Sequence, residues 1–149
     1  MILPFDKEHI PEVAEIERLC FSEPWSEKAL EESLASSLSH FFVFVEGGRV
    51  IGYMGLYAVA GEGSVTNVAT HPDHRRKGVG KALVENAVAV GKELGLEYIT
   101  LEVRQSNLPA RELYEKCGFQ IVGKRRNFYT APTEDAIIMN CFFDKEEKD

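Results

Sequence analysis

Apolar residues recur at helical spacing at Ile10, Val13, Ile16, Leu19 and Cys20, after a short apolar start at 2–5 that reads as a strand. Ser26 stands before a second helical stretch, 27–36, where its hydroxyl suits the N-cap. Residues 41–45 form an apolar strand. Gly47-Gly48 turns that strand into 49–59, a hairpin, and Gly61 to Gly63 turn the chain again into 64–71. Val79, Leu83, Ala87, Val90 and Leu94 mark a helix that ends near Gly95. In 98–103, Ile99, Leu101 and Val103 share one strand face while Thr100 and Glu102 share the other. A short helix over 108–117 stops at Gly118, and 119–123 and 135–143 are the last strands. The order β, α, α, three hairpin-linked strands, α, β, α, β, β predicts an α/β (α+β) fold. It is a mixed sheet of about six or seven strands flanked by about four helices, with an antiparallel front half and one βαβ crossover.

Length and composition narrow the classes. At 149 residues the chain fits one domain, here 1–143, followed by a charged tail at 144–149. An apolar content of 44% with 28% charged residues excludes a disordered chain. The net charge of -7 argues against a general nucleic-acid binder and would suit a basic partner. Arg125-Arg126 alone is too short for a nucleic-acid patch. Cys20, Cys117 and Cys141 show no CxxC pairing and read as buried free thiols of a reducing compartment. The first eight residues carry charges and a proline where a signal peptide needs an apolar stretch, and no run of roughly 18 apolar residues exists. The expectation is a cytoplasmic chain without a membrane span, a monomer or weak dimer. His71 and His74 have HxxH spacing without further ligands, so no metal is expected.

The most informative segment is His71-Pro-Asp-His-Arg-Arg-Lys-Gly-Val-Gly-Lys81, joining a strand to an apolar-faced helix. It holds four Lys or Arg and one Asp, +3 in an acidic chain. Gly78 and Gly80 let the backbone turn sharply and approach a ligand closely. Free N–H groups at a helix start favour an anion, so this loop suits a pyrophosphate. Two glycines beside basic residues also fit an ordinary loop. Neither GxxxxGK[ST] nor a strand-borne GxGxxG is present.

The spacing Arg75-x-x-Gly78-x-Gly80 after Val68-Ala-Thr-His-Pro72 resembles the acetyl-coenzyme A signature Q/R-x-x-G-x-G/A of the GNAT acetyltransferases. The element order resembles theirs over residues 2–143. Further segments are similar to the RimI-type ribosomal-protein alanine N-acetyltransferases. They are Pro24-Trp-Ser26, Leu101-Glu-Val-Arg-Gln-Ser-Asn107, Ala110-Arg-Glu-Leu-Tyr-Glu-Lys-Cys-Gly-Phe119, Arg125-Arg-Asn-Phe-Tyr129 and Glu134-Asp-Ala-Ile-Ile-Met139. The resemblance implies acetyl-CoA as co-substrate. Arg75, Arg76, Lys77, Gly78, Val79, Gly80 and Lys81 would hold its pyrophosphate, and Val68, Ala69 and Thr70 its pantetheine arm. Thr70 departs from the apolar residue common in relatives, but the contacts expected there are main-chain. The resemblance also implies direct attack in a ternary complex, on the N-terminal α-amine of a protein, with a basic small-subunit ribosomal protein beginning with alanine as the leading candidate. Lysine side chains, small amines and a non-catalytic coenzyme A module are the alternatives.

Such chemistry needs a base for the amine, donors for an oxyanion and a proton for the departing thiolate. By the resemblance Glu102 of L-E-V-R is the base and Tyr114 of L-Y-E the acid. Read alone, Glu102 fits a solvated strand position, and Tyr114, about 100° from Leu113 around its helix, fits a core-edge tyrosine. Asn107 suits a helix N-cap, and in the family the matching Asn also touches the cofactor. Trp25 falls where the family has part of its acceptor wall and equally suits a plug at the core edge. Tyr129 falls near the acceptor backbone by resemblance. Glu134 and Asp135 would favour a cationic acceptor, though Asp135 equally fits a pair with a nearby arginine.

Overall fold

In a computed structural model, which describes residues 1–143, seven strands and four helices follow one another as expected. They are β1 (Ile2–Pro4), α1 (Ile10–Cys20), α2 (Glu27–Ala35), β2 (Ser39–Glu46), β3 (Arg49–Val59), β4 (Glu62–Thr70), α3 (Val79–Glu93), β5 (Tyr98–Arg104), α4 (Leu108–Lys116), β6 (Gln120–Tyr129) and β7 (Glu134–Phe142). The tail at 144–149 lies outside the described residues. Two short 3-10 turns, Lys7–His9 and Pro72–His74, precede α1 and α3 and leave no periodic signal in the sequence.

The strands form one sheet in the order β1-β2-β3-β4-β5-β7-β6. All neighbours are antiparallel except β4 and β5, which the α3 crossover makes parallel. Helices cover both faces. Val13, Ile16, Leu30, Phe41, Val43 and Tyr53 pack on the α1–α2 side. Met54, Leu56, Leu83, Val84, Ile99 and Met139 pack on the α3 side. Strand β3 is buried on both faces, from Val50 through Leu56, which explains its unbroken apolar run.

At Gly55 an added Cβ would lie 2.6 Å from Phe41 Cζ and 2.7 Å from Thr66 Oγ1. Gly55→Val is expected to destabilise the fold by about 1–3 kcal/mol, the usual range for overpacking. A thermal melt checks this, and an unchanged Tm would contradict the packing described here.

Two expectations are corrected. The strand expected over 119–123 runs on to Tyr129. It is the outer strand of the sheet, and its Lys124-Arg-Arg-Asn127 segment is largely exposed, so no apolar alternation marks it. Its register with β7 is irregular between Arg125 and Tyr129, where Asn127 takes φ 52°. Of the three free thiols, only Cys141 is buried, while Cys20 and Cys117 are half-buried. Among the described residues, no helix is long and apolar enough to cross a membrane.

Candidate active site

The site begins with an interruption in the sheet. Strands β4 and β5 pair only at Glu62↔Tyr98, Gly63↔Ile99 and Ser64↔Thr100. Beyond them β4 carries one extra residue, Thr66, between the Gly55↔Asn67 and Leu56↔Val65 pairs with β3. A bulge bends the strand that contains it. From there β4 stays with β3 and β5 stays with β7, so the two parallel strands part. Along this ladder Ala69 turns its backbone groups to β3, and those of Val68 and Thr70, turned toward β5, pair with no strand among the described residues. This is the edge that an extended chain with amide groups would bond.

At the end of β4 lies the basic loop. Arg76 takes φ 64°, and Gly78, the N-cap of α3, takes φ 81°. Helix α3 starts without a side-chain cap and without an acidic residue in its first turn. Its leading N–H groups are therefore left for a ligand, with Arg75, Arg76, Lys77 and Lys81 around them. A Cβ on Gly78 would meet nothing within 4 Å. The open, positively charged, uncapped start fits a pyrophosphate. Arg75 departs from a simple cradle role, since its Nη2 donates to Cys20 Sγ at 3.4 Å and ties the loop to α1.

The parting strands open into a cavity of about 630 Å³. Of the residues singled out from the sequence, Val68, Glu102, Asn107, Tyr114, Trp25 and Tyr129 line it together. Ala69 is buried in the core on the α1 side, and Thr70 accepts the Cys20 thiol proton through its carbonyl at 3.3 Å. Asn107 does cap α4, its Oδ1 accepting from Ala110 N at 3.3 Å.

Glu102 sits on the polar face of β5, as the alternation requires. Its Oε2 lies 2.8 Å from Arg125 Nε without hydrogen-bond geometry and has no other donor among the described residues. Tyr114 leans on Phe119, ring centroids 6.0 Å apart. Its hydroxyl makes no hydrogen bond among the described residues. Burial, helped by the neighbouring Tyr129, pushes its pKa up to about 12. The Tyr129 phenol is also raised, first by burial and then by the Glu102 charge. Glu102, Tyr129 and Tyr114 line the same cavity.

Two loops build the other side of the cavity. Trp25 lines the cavity and also packs on the α1-side core, as a plug at the core edge does. Arg104 stacks 4.5 Å over the Tyr129 ring, donates to the Thr130 and Pro132 carbonyls, and pairs with Glu134 at 3.3 Å. Glu134 also accepts from Ser106 N, which, ahead of Arg104, holds its carboxyl below the usual range. Asp135 takes Asn127 N at 2.8 Å and Lys124 Nζ at 3.5 Å, not an arginine. Glu134 thus braces the 130–134 loop through Arg104, while Asp135 ties β6 to the start of β7. Glu23 accepts from the Thr130 hydroxyl and joins the loop after α1 to the loop before β7.

Glu17, Asn67 and Arg104 are among the cavity-lining groups not singled out from the sequence. Glu17 carries a signal in retrospect, because it shares the Ile10, Val13, Ala14 face of α1. Asn67 and Arg104 carry none, since their partners lie 50 and 28 residues away.

A split parallel pair with an anion cradle beyond one strand and a carboxylate and a phenol in the opening is an arrangement for acyl transfer from a phosphate-bearing thioester. The model of the acetyltransferase (GNAT) family matches residues 10–119, and the chain belongs to that family. It is 39% identical over 133 residues to a Bacillus subtilis (strain 168) protein whose name proposes it as a ribosomal protein bS18-alanine N-acetyltransferase, covering 89% of this chain and 88% of that protein. It is 35% identical over 132 residues to the ribosomal protein bS18-alanine N-acetyltransferase of Escherichia coli (strain K12), covering 87% and 88%. The crystal structure of the ribosomal-protein-S18-alanine N-acetyltransferase from Escherichia coli superposes with a TM-score of 0.88 at 33% identity, covering 95% of this chain and 92% of that one.

Proposed function

We propose that this chain transfers the acetyl group of acetyl-CoA to the N-terminal α-amine of a protein. The preferred acceptor is an N-terminal alanine of a small-subunit ribosomal protein, and the reaction runs in the cytoplasm by direct attack in a ternary complex. The observation that carries this reading is the meeting of Glu102 and Tyr114 in one cavity at the opening between β4 and β5. The names of the RimI-type relatives, similar over nearly the whole chain, support the acceptor.

When bound, acetyl-CoA supplies an activated acetyl group on a thioester. The N–H groups at the start of α3 and the side chains of Arg76, Lys77 and Lys81 hold its phosphates. The β5-facing backbone groups of Val68 and Thr70 would bond the pantetheine amides. Glu102 takes a proton from the incoming amine, directly or through a water. An α-amine has a reference pKa of about 7.7–8.0, so a modest base suffices where a lysine near 10.4 would need more help. Tyr114 keeps its proton at neutral pH and offers its hydroxyl to the departing sulfur. Cys20 and Cys117 are not activated as nucleophiles, because burial raises both thiols. This agrees with direct attack.

The test is free-thiol release from acetyl-CoA with a basic peptide beginning Ala-Arg. The same peptide with a blocked N-terminus and one internal lysine runs beside it. Release with the free N-terminus alone is the expected result, and release with the lysine peptide alone would move the acceptor to side chains. The cradle has its own check. Gly78→Glu adds charge repulsion and puts a side chain at φ 81°, a conformation that costs a non-glycine residue about 1–2 kcal/mol. Its Kd for acetyl-CoA should rise roughly tenfold or more, the scale of one lost charge-assisted contact. Calorimetric titration reads this directly, and unchanged affinity would move the phosphates elsewhere.

A further inference from the structure

The cavity holds a buried acidic group that the acid–base pair does not use. Glu17 is 0% exposed and lines the cavity from α1. Its carboxylate accepts from Trp25 N at 2.8 Å, from Asn67 Nδ2 at 3.1 Å and from the Tyr53 hydroxyl. All three donors are neutral. Among the described residues, no Lys, Arg or His forms an ion pair with it. Buried charges are ordinarily paired, because desolvation otherwise opposes them strongly.

Asn67 adds a second irregularity. Donating Nδ2 to Glu17 fixes its amide, so Oδ1 is turned away from the carboxylate. That oxygen is buried and has no donor among the described residues. Asn67 follows the Thr66 bulge. Counting from the last pair, Ser64↔Thr100, the extra residue brings Asn67 level with Glu102 across the parted strands. An uncompensated carboxylate on α1 and an unpaired carbonyl on β4 thus belong to the cavity that Glu102 lines from β5. The ligand chemistry that completes both is a cationic N–H donor.

We propose that Asn67 and Glu17 form the ammonium-binding end of the acceptor site. The protonated amine donates to Asn67 Oδ1 and supplies the positive charge that Glu17 lacks, while Glu102 takes its proton from the opposite strand. Asn67 is the contact, and Glu17 is a positioning residue that orients the Asn67 amide. The inference rests on the reading of this cavity as an amine-acceptor site. It adds the means by which a cationic amine is selected over a neutral group of the same shape.

The test uses the coenzyme A-loaded enzyme and two peptides of one Ala-Arg sequence, one with its α-amine and one with that amine replaced by hydrogen. The wild type should bind the amine peptide more tightly. In Asn67→Leu this preference should shrink about tenfold or more, the scale of a hydrogen bond to a charged group. Coenzyme A affinity and binding of the desamino peptide should stay as in wild type. Glu17→Gln should act likewise, because the new amide nitrogen would draw Asn67 Oδ1 toward itself and turn Nδ2 to the ligand. It also reads the same preference should Asn67→Leu fail to fold. Equal weakening of both peptides would show a merely structural role and overturn the inference, as would an unchanged preference. Wild-type enzyme without any amine preference would overturn it too. An intact preference with no thiol release would instead overturn the proposed function alone.

Discussion

Glu102→Gln is expected to lower kcat by roughly 10²–10⁴, the range general-base catalysis supplies, with acetyl-CoA affinity nearly unchanged. Glutamine keeps the shape of the side chain on β5 and removes only the site that accepts a proton. The fold should tolerate the change, because the ion contact that is lost joins a partly exposed Glu102 to a largely exposed Arg125. The pH profile separates this from a binding effect. Without the base, turnover depends on amine that has already lost its proton, a fraction that rises through about pH 7.7–8.0. The rate of the variant should therefore climb with pH across that window, after the wild type has levelled. Steady-state rates from mildly acidic to alkaline pH decide it, and a wild-type rate in the variant would remove Glu102 from the chemistry.

Tyr114→Phe should lower kcat by about 10²-fold while leaving coenzyme A binding intact. The phenylalanine ring keeps the contact with Phe119, so packing cannot account for the loss. The phenol also marks the alkaline stability of the protein. Its folded pKa, about 12, lies above the ordinary value of 10.0, so the folded state holds this proton more tightly. The corresponding stability is fully present below pH 10 and is lost as the pH rises through about 12. Melting curves over that interval should fall more steeply for wild type than for Tyr114→Phe. A variant with full turnover would show that the leaving sulfur finds its proton elsewhere.

Much of this architecture was legible before any coordinates. The α3 stripe from Val79, the alternation around Glu102 and the loop from Arg75 to Gly80 each follow from local period or local chemistry, and each falls where expected. Glu102 and Tyr114 came from the family resemblance and do share a cavity with Trp25, Asn107 and Tyr129. Local reading fails where a residue's meaning depends on a distant partner. The second half of β6 is polar because solvent, not core, faces it. Arg104 looks like any strand-end cation until the 130–134 loop folds over it. Glu17 sits on an apolar stripe for a reason that only Tyr53 and Asn67, far along the chain, supply. Its misfit with the helix pattern was the one visible trace.

The short pairing of β4 with β5 has a mechanical side. A continuous sheet is stiff across every rung, whereas this one is two wings, β1 to β4 and β5 to β7, joined by three rungs at the base. Above those rungs, α3 lies across the gap like the spine of a half-open book, with Leu83, Val84 and Ala87 in the same core as Met54 of one wing and Ile99 of the other. The spine begins at the loop assigned to the phosphates. A ligand anchored there, with its arm laid along the free edge of β4, grips the hinge and one page together.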